Sequence, residues 1–146
     1  MFLLDTNVIS EVRRGQRSNP NVTNWYASVG ESQLFISSLT IGEIRRGIEL
    51  ARRRGDGDQV EALETWLETV IQRFSGRILK VDTEEADAWG QLSAIRPVPV
   101  VDALLAATAI THDMTLVTRN VSDVEGLGVR VIDPFSGTDN LNEEAQ

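Results

Sequence analysis

Four carboxylate residues stand close to places where the sequence predicts that strands end or helices begin. They are Asp5, Glu43, Asp102 and Asp123. Carboxylates that gather at one pole of a fold repel one another, so such a cluster is costly unless a cation neutralises it. A donor set of oxygen atoms favours a hard cation, either Mg²⁺ or its substitute Mn²⁺. The four acids therefore suggest a metal centre.

The sequence contains no cysteine and a single histidine, His112. The lack of cysteine excludes disulfides, zinc–thiolate sites and thiol catalysis. With one histidine, zinc binding, histidine acid–base catalysis and a Ser-His-Asp triad are all poorly supported. His112 lies near the end of a predicted helix, where a favourable contact with the helix dipole is its expected role.

Each of the four acids also has a purely structural explanation. Asp5 can cap the helix that follows it, and Asp102 can oppose the positive end of a helix dipole. Glu43 can complete a capping box with Thr40, and Asp123 can form an Asx-turn in a loop. Taken one by one, these explanations stay open, but the joint occurrence of the acids favours a cluster.

The hydrophobic pattern alternates short apolar runs with segments of helical periodicity. Strands are expected at residues 2–4, 34–36, 78–81, 115–118 and 129–132. Helices are expected from about residue 9 and at residues 20–28, 41–51, 60–74, 82–94 and 101–112. Capping boxes are expected at Asp58 with Glu61 and at Asp82 with Glu85. The alternation predicts an α/β sandwich with a mainly parallel sheet, in which acids that follow strands converge at the carboxyl edge.

The composition limits the function further. A chain of 146 residues, 41% of them hydrophobic, fits one domain with its own core. The formal net charge of −8 argues against tight, non-specific nucleic-acid binding, which needs many cationic side chains. It favours a cationic partner, such as a metal ion or a basic peptide. No apolar run approaches the roughly 18 residues that span a bilayer, and the N-terminus lacks a signal-peptide pattern, so a cytoplasmic location is expected.

Four short motifs occur in order along the chain. They are Leu3-Leu4-Asp5-Thr6-Asn7, Ile41-Gly42-Glu43, Asp102-Ala103-Leu104-Leu105-Ala106-Ala107-Thr108-Ala109 and Thr118-Arg119-Asn120-Val121-Ser122-Asp123. In this order and at these separations, the motifs resemble those of PIN-domain proteins, and in particular of VapC-type toxins from bacterial toxin–antitoxin pairs. The resemblance runs from about Phe2 to Phe135.

The resemblance implies a PIN-like three-layer sandwich over residues 1–135, with a mainly parallel central sheet flanked by helices, and a polar tail at residues 136–146. It implies a magnesium-dependent endoribonuclease that hydrolyses RNA phosphodiester bonds as the toxin of a type II pair. A homodimer and inhibition by a cognate antitoxin are also implied. The resemblance assigns catalysis and metal binding to the four acids, with Thr118 and Asn120 as polar supports that contact the substrate.

Two other functions were weighed against this one. A non-catalytic PIN-like module would bind RNA or a protein without cutting, and the loss of an acid would favour it, but all four acids are present. An α/β phosphatase with an aspartyl nucleophile usually carries a second Asp two residues after the first. This chain has Asn7 at that position, which favours the nuclease.

Overall fold

The computed structural model describes residues 1–137, so residues 138–146, most of the expected polar tail, lie outside the described residues. The strands are β1 (Phe2–Leu4), β2 (Leu34–Ser37), β3 (Ile78–Leu79), β4 (Thr115–Val117) and β5 (Val131–Ile132). The helices are α1 (Thr6–Arg13), α2 (Pro20–Ser28), α3 (Ser38–Arg53), α4 (Gly57–Arg73), α5 (Thr83–Ser93), α6 (Val100–Thr111) and α7 (Val121–Val124). Short 3-10 turns lie at Gly15–Arg17 and Glu31–Gln33.

The five strands form one parallel sheet in the order β3-β2-β1-β4-β5. Leu3 of β1 pairs with Phe35 on one side and with Leu116 on the other, so β1 is central. The chain first fills the β2 side of β1 and then crosses to the β4 side. Such a reversal opens a crevice at the carboxyl ends of the central strands. The predicted parallel sheet is confirmed.

Alternating side chains divide the core into two layers, one on each face of the sheet. Leu4 packs in a cluster with Val8 of α1 and Ile48 of α3. Leu3, its neighbour along the strand, packs on the opposite face with Leu105 of α6. Helices therefore cover both faces, and the expected three-layer α/β sandwich is confirmed.

Helix α6 is buried along most of its length and brings its first turn close to the sheet. Its buried residues include Ala103, Ala106 and Ala107, whose small side chains allow close approach to neighbouring elements. Asp102 lies in that first turn. Within residues 1–137, no helix is both long and apolar enough to cross a membrane.

Helix α3 begins earlier than the sequence pattern predicts. Its N-cap is Ser37, whose hydroxyl accepts a hydrogen bond from the Leu39 N–H at 3.0 Å. Thr40 and Glu43 therefore lie inside the helix, so the capping box that was one possible explanation of Glu43 does not form. Glu43 lies in the second turn of α3.

Of the two predicted capping boxes, the one at Asp58 with Glu61 is wrong and the one at Asp82 with Glu85 is correct only for Asp82. Asp56, not Asp58, is the N-cap of α4. Asp82 caps α5 as predicted, but Glu85 does not complete the box. Its Oε1 atom lies instead 3.4 Å from Nε2 of His112, the C-cap of α6, and this contact links α5 to α6.

Candidate functional site

Asp5 follows β1 directly and is held from several directions. Its N–H donates to the Val117 carbonyl at 2.9 Å, which continues the β1–β4 pairing by one residue. As the N-cap of α1, it accepts the Thr6 N–H on Oδ1 at 2.7 Å. Its Oδ2 accepts the Thr118 hydroxyl at 2.8 Å and Nδ2 of Asn7 at 3.3 Å. Asp5 is only 6% exposed, so its carboxylate is fixed beneath the crevice.

Thr118 follows β4 and joins the two central strand ends. Its side chain is 1% exposed, and besides donating to Asp5 it accepts the Asn120 N–H at 3.0 Å. Asn7 adds a second link, because its Oδ1 accepts the Arg119 N–H at 3.3 Å. Thr118 therefore supports the site by orienting Asp5. Substrate contact by the exposed Asn120 side chain stays a prediction.

Glu43 reaches the site from the second turn of α3. Its Oε1 accepts the Thr6 hydroxyl at 2.6 Å, and the same hydroxyl lies 3.3 Å from Oγ1 of the buried Thr40. Thr6 is thus bonded to Glu43 through its side chain and to Asp5 through its N–H. This single residue brings two of the predicted acids together.

Asp102 and Asp123 complete the group from the opposite face of the sheet. Asp102 lies in the first turn of α6, and Asp123 lies in α7 rather than in the loop that an Asx-turn would require. Asp123 is one of the acids that interact electrostatically with Asp102. Burial, reinforced by the charges of Asp5, Asp123 and Glu43, raises the pKa of Asp102 to about 6. The structure thus places Asp5, Glu43 and Asp123 within electrostatic reach of Asp102.

Opposing influences act on Asp5. Burial raises its pKa, the hydrogen bonds from Thr118 and Thr6 lower it, and the charge of Glu43 raises it again. The net direction is upward. The neighbouring donors thus stabilise a carboxylate that burial and like charge disfavour.

Three polar residues support the acids in roles that the sequence pattern did not indicate, two by bonding to an acid and the third, Thr40, by contact with the Thr6 hydroxyl. They are Thr6, Asn7 and Thr40. Thr6 and Asn7 belong to the first motif. Two hydrogen-bonding residues directly after Asp5 could have indicated that they support this acid. Thr40 was considered only as a helix cap, whereas the N-cap of α3 is Ser37, three residues earlier.

The donor chemistry of the cluster fits Mg²⁺ or Mn²⁺, since its ionisable side chains are carboxylates and the single histidine lies at the far end of α6. Within residues 1–137, however, no three acidic or histidine side chains are already arranged around one ion position. A bound ion would therefore have to draw the carboxylates closer together. The positive charge of the ion would then offset the burial and the neighbouring negative charges that raise the pKa of Asp102.

Comparison with known proteins gives a consistent result. The family model of the PIN domain matches residues 2–122. Toxin FitB of Neisseria gonorrhoeae is 33% identical over 141 residues, which cover 92% of this chain and 99% of FitB. VapC ribonuclease Y4jK of Sinorhizobium fredii is 28% identical over 141 residues, which cover 92% of this chain and 98% of that protein.

Solved structures resemble the chain along almost its whole length. The crystal structure of FitAcB from Neisseria gonorrhoeae matches with a TM-score of 0.82 and 33% identity, covering 92% of this chain and 99% of the matched one. The structure of DNA-bound VapBC from Salmonella typhimurium matches with a TM-score of 0.71 and 26% identity, covering 91% and 97%.

Removal of one charge from the cluster should stabilise the metal-free protein. In the folded state the pKa of Asp102 is raised from 3.8 to about 6. Between these values the folded state binds more protons than the unfolded state, so the free energy of unfolding falls as pH rises through that window. At pH 7.5 with chelator, Asp102→Asn should raise Tm by about 2–4 °C, a gain already reduced for the partial exposure of Asp102. The gain should vanish near pH 4.

Asp58→Asn is the matched control, because Asp58 is an exposed acid in the first turn of α4 and lies outside the cluster. This variant removes the same charge from the same kind of helix position. Its Tm should stay level or fall slightly. If Asp102→Asn lowered Tm as well, Asp102 would be acting as a helix-end charge and not as a member of a repelling cluster.

Thr118→Val should weaken the hold on Asp5. Valine keeps the shape but removes the hydroxyl, which leaves Oδ2 of Asp5 with only the longer bond from Asn7 and the Asn120 N–H without its acceptor. We expect a loss of about 1–3 kcal/mol in the free energy of unfolding, measured by urea denaturation. Thr118→Ser keeps the hydroxyl and should recover most of the loss. Equal stability of the two variants would contradict the assigned role.

Proposed function

The chain belongs to the PIN domain family, and on that premise we propose that it is a magnesium-dependent endoribonuclease and the toxin of a type II toxin–antitoxin pair. The observation that carries the proposal is the meeting of four carboxylates at the carboxyl edge of a parallel sheet. The names of its relatives, a toxin and a ribonuclease, support it. The proposed location is the cytoplasm, where cellular RNA is found.

Asp5 and Asp102 are the proposed principal ligands of the ion. Asp5 is the most rigidly held of the acids, and Asp102 is the one whose charge is most disfavoured without a cation. When bound, the ion supplies a Lewis acid that activates water and polarises the phosphate group. Glu43 and Asp123 complete the pocket, either as further ligands or as groups that orient the attacking water.

The polar residues around the acids determine how this pocket can work. The Thr6 hydroxyl donates to Oε1 of Glu43 and so fixes the orientation of this carboxylate. Oε2 is then the oxygen that would bind the cation or orient water. Thr118 and Asn7 donate to Oδ2 of Asp5, and the Thr6 N–H donates to Oδ1, so both carboxylate oxygens are held in place. A preorganised set of this kind avoids reorganisation at the moment of reaction.

The proposal also accounts for an acidic protein that acts on a polyanion. With a net charge of −8 and an acidic crevice, the free protein should repel RNA. A divalent cation in the crevice reverses the local sign of the charge. RNA binding is therefore expected to depend on the metal as strongly as cleavage does.

Cleavage of RNA by the purified protein is the direct test. We expect Mg²⁺-dependent cleavage of total cellular RNA that chelator abolishes, as read from the product pattern on a denaturing gel. Asp5→Asn and Asp102→Asn should abolish cleavage, because Asn keeps the shape but loses the charge that holds the cation. Asp58→Asn should cleave like the parent. Cleavage at the parental rate by either site variant would rule out the assignment.

A basic protein segment is the proposed natural inhibitor, and a homodimer is the proposed active assembly. FitAcB and VapBC, which the chain resembles, support an antitoxin partner. An Arg from such a partner could form charge-assisted hydrogen bonds to the acids in place of the cation.

Inhibition by the product of the neighbouring gene tests this part of the proposal. We expect the two proteins to copurify and the complex to lose RNA cleavage. Because the attraction is electrostatic, the association should weaken at high salt. The same partner should bind Asp102→Asn less tightly. A partner that binds without reducing cleavage would contradict the proposal.

A further inference from the structure

Arg96 lies in the connection between α5 and α6, and its guanidinium group bonds to three main-chain carbonyls. Nη2 donates to the carbonyls of Asp123 at 3.1 Å and Glu125 at 2.7 Å. Nη1 donates to the carbonyl of Pro97 at 3.2 Å. Arg96 thus spans from the chain that leads into α6 to the end of α7.

The segment that receives these bonds packs Val124 and Leu127 into the core, but its backbone has few hydrogen bonds of its own. Helix α7 has only four residues, and so short a helix is not stable by itself. The turn after it contains Gly126 and Gly128, both with φ near +80°, and glycine loses the most backbone freedom on folding. The last carbonyls of a helix need donors from outside the helix. Arg96 provides two donors at that end.

The other end of the contact is stiff. Pro97 follows Arg96 and restricts it to an extended conformation, and Pro99 is the N-cap of α6. Three residues after Pro99 comes Asp102. Arg96 therefore links the segment that carries Asp123 to the segment that leads into α6, whose first turn carries Asp102.

Arg96 also differs from the arginines on the exposed faces of α3 and α4. Arg45 and Arg52, for example, pair with Glu64 on the exposed faces of α3 and α4. Among the described residues, no carboxylate lies within ion-pair distance of Arg96, and its bonds go to backbone carbonyls instead. Arg96 therefore holds segments of the main chain together and does not pair with a carboxylate.

We propose that Arg96 is a positioning residue of the active site, which keeps Asp123 in the acidic cluster by fixing the end of α7 to the α5–α6 connection. It acts through the main chain and does not touch the substrate. The inference rests on the proposed function for its consequence, the loss of cleavage. The mechanical part, the support of α7, can be measured without metal or RNA.

The test compares Arg96→Gln and Arg96→Lys with the matched control Arg130→Gln. Arg130 is also a guanidinium that holds a turn, because its Nη2 donates to the Asp113 carbonyl at 2.8 Å and lies 3.0 Å from Oδ1 of Asp113. That turn joins α6 to β4, at the opposite edge of the sheet from the acids. Both substitutions to Gln remove a cation and a bond to a backbone carbonyl, but only one of them is near the site.

The first readout is amide hydrogen exchange on the metal-free proteins. In the parent, the Asp123 and Leu127 amides donate to the carbonyls of Asn120 at 3.1 Å and Val124 at 3.3 Å. Arg96→Gln should speed their exchange selectively, whereas Arg130→Gln should leave them at the parental rate. Unchanged exchange at both amides in Arg96→Gln would overturn the proposal, whether or not the protein proves to be a nuclease.

The second readout is the Mg²⁺-dependent rise in Tm, together with the kinetics of cleavage of a short RNA. Arg96→Gln should reduce the Tm gain and lower kcat by about 10–100-fold, as replacement of a group that orients a ligand does. KM should change little, because no substrate contact is lost. Arg130→Gln should retain the parental Tm gain and kcat even if it is less stable overall.

Arg96→Lys separates geometry from charge. Lysine keeps the cation but lacks the planar fork that reaches several carbonyls, so it should recover little of the lost kcat. Full recovery by lysine would overturn the proposal, because charge alone would then suffice. A parental kcat in Arg96→Gln would overturn it too. A parent that neither cleaves RNA nor responds to Mg²⁺ would instead refute the proposed function, and hydrogen exchange would still decide whether Arg96 holds α7.

Discussion

Repulsion among four carboxylates at one edge of the sheet is the constraint around which the rest of this structure is arranged. A parallel sheet whose strand order reverses at β1 brings Asp5 and Thr118 side by side, and helices from both faces add the other acids. Left alone, such charges would push the segments that carry them apart. The hydroxyl and amide donors around Asp5, and the bonds from Arg96 to the end of α7, hold those segments in place against the repulsion.

Because of this repulsion, the stability of the acidic cluster is expected to depend on whether a positive group is bound there. The raised pKa of Asp102 records a charge that the folded protein disfavours, and burial and the neighbouring acids are its causes. A cation bound there, as we propose, would relieve the repulsion and at the same time make the site attractive to phosphate. A basic side chain from a partner would relieve it as well, but without chemistry. In this account, activation by metal and inhibition by a partner exploit the same electrostatic feature.

The sequence was a good guide to the sheet and to the acids that follow strands, because both depend on local patterns. Asp5 follows an apolar run of three residues, and its place at the carboxyl edge results directly from parallel pairing. Helix starts were harder to predict, since several residues near a boundary can act as the N-cap and the choice between them depends on packing. Ser37 rather than Thr40 caps α3 for that reason, and Glu43 consequently lies in the second turn of the helix. Contacts such as that between Arg96 and the Glu125 carbonyl join residues 29 apart and leave no periodic signal.

The central claim, that the four acids form one cation site, is tested most directly by the shift in Tm that Mg²⁺ produces. An ion that binds only the folded state stabilises it by mass action, by about 2.7 kcal/mol at 100 times Kd. The parent and the control Asp58→Asn should show equal, saturable gains. The amide variants of the cluster, Asp5→Asn, Glu43→Gln, Asp102→Asn and Asp123→Asn, should each gain less. No shift in the parent, or a full shift in all four variants, would contradict the claim.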